Sequence, residues 1–141
     1  MKHGPVVLIE DDIDDQEFIT DALKSLGVQN EIKTFEDSQK ALDFLKATSH
    51  QPFIIISDVN MPVMNGLQLK HTIEEDEYLK SKSIPFVFLS TSAEPKAVKE
   101  AFKMSVQGFF VKENTYEGIR LQLKQIIEYW SSSRHPNYKE Q

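Results

Sequence analysis

Phe53-Ile54-Ile55-Ile56-Ser57-Asp58 is a continuous apolar run that ends on a carboxylate, and Val6-Val7-Leu8-Ile9-Glu10-Asp11-Asp12 repeats the design near the N-terminus. Runs this short, β-branched and unbroken read as strands buried on both faces, because a half-exposed strand would alternate. If the two are neighbours in one parallel sheet, their acids meet at a single edge. The rest of the chain supports that arrangement.

Short β-rich runs alternate with helical patterns. Ile13 to about Leu26 reads as a helix with Ile19, Ala22, Leu23 and Leu26 on one face, stopped by Gly27. Asn30 to Phe35 is a partly polar strand expected near an edge. Glu36 to Ala47 is a helix burying Ala41, Leu42 and Leu45. The loop Asn60-Met61-Pro62-Val63-Met64-Asn65-Gly66 leads into a helix from about Leu67 to Tyr78. Phe86–Leu89 and Gly108–Val111 are the last two strands. Between them Glu94 to Met104 is helical, with Ala97, Val98, Ala101 and Phe102 expected inward. Thr115 to Trp130 closes the fold on a stripe of Ile119, Leu123, Ile126, Ile127 and Trp130. Five βα units in a row imply an α/β domain with a parallel sheet and helices on both faces. Residues 5–130 form that domain, and Ser131-Ser132-Ser133 open a polar tail over 131–141 that is expected to fray.

The bulk numbers exclude several classes. A chain of 141 residues supports one domain. A net charge of -6 and a pI near 5.2 argue against nucleic-acid and anionic-membrane binding. No cysteine is present, so disulfides, thiolate metal sites and cysteine catalysis are excluded together. His3, His50, His71 and His135 lack zinc-ligand spacing and read as surface or partly buried histidines. The apolar run after Met1-Lys2-His3-Gly4-Pro5 is too short for a signal peptide or a membrane span, so a cytoplasmic protein is expected.

The residues just past each strand carry the chemistry. Glu10-Asp11-Asp12 come after the first, Asp58 after the third, Ser90-Thr91 after the fourth and Lys112 after the fifth. In open parallel sheets ligands bind beyond the carboxyl ends of the strands, at the switch in strand order. Helix capping and first-turn charge account for Asp12, Asp14, Asp15 and Glu17. They do not account for Asp58, because Met61-Pro62 delays the next helix. Two carboxylates ~4 Å apart repel by roughly 4 kcal/mol at an effective dielectric near 20. A bound divalent cation relieves that at neutral pH, and an all-oxygen donor set favours Mg²⁺ or Mn²⁺ over zinc. Asp58 is then placed to accept a phosphoryl group.

The segments 7–12 (Val-Leu-Ile-Glu-Asp-Asp), 57–66 (Ser-Asp-Val-Asn-Met-Pro-Val-Met-Asn-Gly), 84–91 (Ile-Pro-Phe-Val-Phe-Leu-Ser-Thr) and 108–112 (Gly-Phe-Phe-Val-Lys) resemble the receiver (response-regulator) family, typified by the chemotaxis receiver, over about Pro5 to Trp130. The resemblance implies a single doubly wound (βα)5, flavodoxin-like domain with strand order 2-1-3-4-5. It implies Asp58 as phosphoacceptor and Mg²⁺ held by Glu10 (through a water), Asp11, Asp58 and the backbone carbonyl of Asn60. Ser90 and Lys112 would contact phosphoryl oxygens. Ser90 and Phe109 would form the switch, acting on the face made by the helix at 94–104, the strand at 108–111 and the helix at 115–130. Implied partners are a sensor histidine kinase and a downstream target or phosphotransfer protein, with homodimerisation as a further route. The segment 74–83, the Ser90-Thr91-Ser92 run and the Tyr129-Trp130 ending look like the stand-alone receivers that accompany phytochrome-type sensor kinases.

One position departs from the family pattern. Glu113 stands where the family usually has a proline in a cis peptide, and a non-proline cis bond costs ~3 kcal/mol, which leaves the isomer of the Lys112–Glu113 bond open between cis and trans. Three other readings compete. A haloacid-dehalogenase-type phosphatase needs an aspartate two residues after its nucleophile, and that position is Asn60. A flavin-binding protein of this sheet order needs a Ser/Thr/Gly-rich phosphate loop, where this chain has Glu-Asp-Asp-Ile-Asp-Asp. A receiver whose chemistry has lapsed would not be expected to keep Asp11, Asp58, Ser90 and Lys112 together.

Overall fold

Five parallel strands, β1 (Val6–Ile9), β2 (Ile32–Phe35), β3 (Ile54–Ser57), β4 (Phe86–Ser90) and β5 (Gly108–Val111), hydrogen-bond in the order β2-β1-β3-β4-β5. The structure is a computed structural model and describes residues 4–137. The chain leaves β1 for β2 on one side, then returns to β3 on the other. The switch in direction therefore lies between β1 and β3, at their carboxyl ends.

Alternation along the strands divides the core. Val6, Leu8, Ile54, Ile56, Val87 and Leu89 pack against α1 (Ile13–Ser25) and α6 (Tyr116–Ser132), meeting Ile19, Leu23, Ile119 and Leu123. Val7, Ile9, Ile55, Phe86 and Phe88 face the opposite layer. That layer holds α2 (Ser38–Ala47), α3 (Gly66–Glu75), α4 (Glu77–Ser81) and α5 (Pro95–Lys103). Because β1, β3 and β4 are covered on both faces, their runs are apolar up to the buried serines, Ser57 and Ser90, that end β3 and β4. The edge strand β2 is only partly buried, which explains its mixed Ile-Lys-Thr-Phe composition.

Four expectations need correction. The helix expected from Leu67 to Tyr78 is two helices. Asp76 has an extended backbone (φ -98°, ψ 112°), ends α3, and caps α4 by accepting the Leu79 N–H at 3.0 Å. The apolar spacing Leu69, Ile73, Leu79 continues across the break and hides it, while aspartate favours the capping role over a helix interior. Phe102 points outward and is 52% exposed. Ala101 takes the buried position on α5, and one residue is a turn of about 100° on a helix. Ser131 and Ser132 are the last turn of α6, where a fraying tail was expected. Just beyond them His135, expected at the surface or partly buried, is fully buried, its ring stacked on Phe53 at 5.0 Å and 14°, with Nε2 against the Phe53 carbonyl oxygen. His3 and the tail beyond residue 137 lie outside the described residues. Among the described residues no helix is long and apolar enough to cross a membrane.

Candidate functional site

Sheet register assembles the rim. Ile9 pairs with Ser57, so Glu10 and Asp58 leave the sheet side by side, and the Asp58 N–H donates to the Ile9 carbonyl at 3.0 Å. Ser90 pairs with Val111, and the Lys112 N–H donates to the Ser90 carbonyl at 2.7 Å. Strand alternation carried one residue further puts Glu10, Asp58 and Lys112 on the α1/α6 side of the sheet. Ser90 and Phe109 keep the phase of Phe88, on the α5 side. The Phe88 and Phe109 rings lie 5.6 Å apart.

Three carboxylates converge as expected. Glu10, Asp11 and Asp58 each offer an oxygen within 4.8 Å of the others. Glu10 and Asp58 are buried while Asp11 is exposed, which leaves the cluster open on one side. The Asp58 Oδ1 accepts the Val59 N–H at 2.8 Å. The Glu10 carboxylate accepts the Asp12 N–H at 3.2 Å and pairs with the Lys112 ammonium. Burial pushes the Glu10 carboxyl up to about 7, and the charge of Asp58 adds to that, against the pull of Lys112. Burial also opposes the charge on Lys112, but Glu10, Asp58 and Asp15 outweigh it and hold the ammonium above its ordinary pKa. A cation bound beside Glu10 would favour the ionised carboxylate that burial disfavours. The cluster's donors are all oxygen, so the residues fit a hard divalent cation.

The remaining expected residues fall on the same rim. The Ser90 Oγ is fully buried and has no hydrogen-bond partner among the described residues. Asn60 lies exposed two residues beyond Asp58, at the start of the loop into α3. That loop folds tightly under the site. The Met64 N–H donates to the Pro62 carbonyl at 2.9 Å, and Val63 takes a positive φ of 69° at the exposed tip, a strained choice for a β-branched residue. Gly66 closes the loop by donating to the Val59 carbonyl at 2.8 Å. The described residues contain no cis peptide, so the bond between Lys112 and Glu113, open on sequence alone, is trans. Gln122 of α6 holds this loop, accepting the Glu113 N–H at 3.1 Å and donating to the Val111 carbonyl at 2.6 Å.

One functional contact is hidden in the sequence. Asp15, which reads there as a first-turn helix charge, accepts from the Lys112 Nζ at 3.2 Å through Oδ2. Lys112 is hydrogen-bonded to Glu10 and Asp15, and no hydrogen bond joins it to Asp58. The available signal was positional. α1 begins at the carboxyl end of β1, so its first turn borders the same rim that Lys112 reaches from β5.

A family model described as response regulator receiver domain matches residues 6–124. Chemotaxis protein CheY-3 of Vibrio cholerae is 28% identical over 127 residues, covering 90% of this chain and 94% of the relative. Among solved structures, the phosphorylated cyanobacterial phytochrome response regulator RcpA is similar with a TM-score of 0.87 at 28% identity, covering 96% of this chain and 100% of that one. The Mn²⁺-bound form of response regulator Rcp1, a Synechocystis protein, shares the fold with a TM-score of 0.80 at 23% identity, covering 93% and 96%.

Proposed function

The chain belongs to the response regulator receiver domain family, and from that premise we propose that Asp58 accepts a phosphoryl group from a phosphohistidine on a sensor kinase. A carboxylate oxygen of Asp58 attacks phosphorus, the phosphorus–nitrogen bond breaks, and the imidazole leaves with the electron pair. The product is an acyl phosphate on Asp58. Little covalent work falls to the protein in such a transfer, so positioning and charge neutralisation matter most. The Val59 N–H fixes one Asp58 oxygen and thereby aims the other. Lys112 offsets the charge of the transferred group. Glu10, Asp11, Asp58 and the Asn60 carbonyl would hold a Mg²⁺ or Mn²⁺ ion, which when bound supplies the charge shielding an anionic phosphoryl donor needs to approach three carboxylates.

The observation that carries this reading is the buried, unpartnered Ser90 Oγ. A buried hydroxyl without a partner is uncommon and calls for an explanation. A phosphoryl oxygen on Asp58 supplies the missing acceptor in one state only, which biases the equilibrium between two arrangements of the rim. Movement of Ser90 frees space for the Phe109 ring. The surface altered is that of α5, β5 and α6, where a target protein, a phosphotransfer protein or a second copy would read the change. We assign the protein to the cytoplasm, with no catalysis beyond its own phosphorylation and dephosphorylation.

The test is intact mass after incubation with acetyl phosphate and Mg²⁺. One added phosphoryl group is expected, absent without Mg²⁺ and absent in Asp58→Ala. Labelling that persists in Asp58→Ala would move the acceptor elsewhere.

A further inference from the structure

We propose that Asp15 is a positioning residue that competes with the phosphoryl group on Asp58 for the ammonium of Lys112, and so limits how readily the site takes up an anion. This deepens the phosphoacceptor reading and rests on it. The ammonium is held from the α1 side, by Glu10 and by Asp15 at 3.2 Å, and is not bonded to Asp58. Two of its three N–H donors are committed to these acids, so drawing it toward an anion on Asp58 works against their pull. Glu10 belongs to the carboxylate cluster and has a second use there. Asp15 lies outside that cluster, so its hold on Lys112 is a tether with no other partner to satisfy.

The tether is anchored. Asp15 is in the first turn of α1, and its N–H donates to the Asp12 Oδ1 at 3.1 Å, as does that of Asp14 at 2.9 Å. The carboxylate is therefore fixed by a capped helix end and meets a side chain 97 positions away in sequence. The Asp15 side chain is 42% exposed against 6% for that of Lys112. Solvent can take over Asp15 when the lysine leaves, which makes the bond one that can be given up. Asp14 is a neighbouring acid in the same turn, exposed and without contact to Lys112, so it reports the effect of charge alone.

Beryllofluoride binding at saturating Mg²⁺, followed by fluorine NMR, tests the assignment on wild type, Asp15→Asn, Asp14→Asn and Asp15→Glu. Asp15→Asn is expected to bind about three- to fivefold tighter, the scale of one half-exposed ion pair. Asp14→Asn is expected to change less than about twofold, as a remote screened surface charge should. Asp15→Glu is expected to restore the wild-type value. Equal gains from Asp14→Asn and Asp15→Asn would reduce the effect to bulk charge and overturn the assignment. Weaker binding by Asp15→Asn would overturn it too, since Asp15 would then present the lysine to the anion. If wild type takes up no beryllofluoride, the phosphoacceptor reading falls first and this inference with it.

Discussion

Gly66 lies directly against the backbone of Asp58: a Cβ placed on it would stand 2.3 Å from the Asp58 carbonyl oxygen and 3.0 Å from the Val59 Cα. Both are main-chain atoms and cannot swing aside. Gly66→Ala should therefore cost about 1–3 kcal/mol, as overpacking does, and should also slow phosphoryl uptake by displacing Asp58. Gly27→Ala is the control. Its φ of 77° makes a side chain unfavourable, yet nothing lies within 4 Å of the new Cβ and the site is remote. Urea denaturation with mass-based labelling rates separates the two variants. Equal labelling would mean that the contact does not position the acceptor.

The unpartnered hydroxyl of Ser90 makes a prediction of unusual sign. Removing a buried group that has no hydrogen bond in the resting state should be neutral or stabilising by up to about 1 kcal/mol. Ser90→Ala should thus keep or raise the thermal midpoint of the unphosphorylated protein. It should also diminish the beryllofluoride-induced NMR shift changes around Phe109. A destabilisation above about 1 kcal/mol would mean the hydroxyl is already bonded at rest.

Glu10 sets a pH dependence. Its carboxyl is raised by burial from 4.5 to about 7, so the folded protein holds that proton more tightly than the unfolded chain. The associated stability is complete below pH 4.5 and is lost as pH rises through about 7. A cation that uses the ionised carboxylate must displace the proton. Mg²⁺ affinity should therefore rise between pH 6 and 8, with up to about one proton released at the acid end and almost none at the alkaline end. Calorimetry in buffers of different ionisation enthalpy measures the released proton. An affinity flat across this window would remove Glu10 from the metal chemistry.

His135→Ala should destabilise the fold by about 2–3 kcal/mol, toward the lower range for deleting a buried ring. The ring stacks on Phe53, approaches Trp130 edge-on at 6.1 Å, and accepts the Asn137 N–H through Nδ1 at 3.0 Å. Chemical denaturation gives the value, and a change below about 0.5 kcal/mol would mark the segment after α6 as loosely held.

Much of this was legible because buried parallel strands advertise themselves. Val6–Ile9 and Ile54–Ile56 are apolar at every position, and the acids that follow them, Glu10 and Asp58, fall on one rim by geometry alone. The element boundaries moved by a residue or two. Larger differences share a cause: a local pattern continued where a tertiary or capping effect prevailed. Apolar spacing runs on through Asp76, whose side chain prefers to cap α4. Phe102 looks like core because it is aromatic, but its neighbour Ala101 holds the inward phase. His135 sits in a polar stretch, and nothing local reveals that Phe53 waits beneath it. Asp15 looks like a helix-end charge because its partner comes from the last strand. Such contacts are encoded by topology and not by neighbours in the chain.

Strand phase has a consequence for how such a molecule can be tuned. Glu10, Asp58, Lys112 and Asp15 gather on one side of the sheet, and Ser90 and Phe109 on the other, so in the proposed reading capture and reporting are built on opposite faces that meet only at the rim, where a phosphoryl group on Asp58 would reach Ser90. On that reading, changes around the first turn of α1 would reset the appetite for the anion while the proposed transmitting surface of α5 stays as it is. By the same reasoning, changes around Phe109 would retarget the proposed signal without disturbing the chemistry that triggers it.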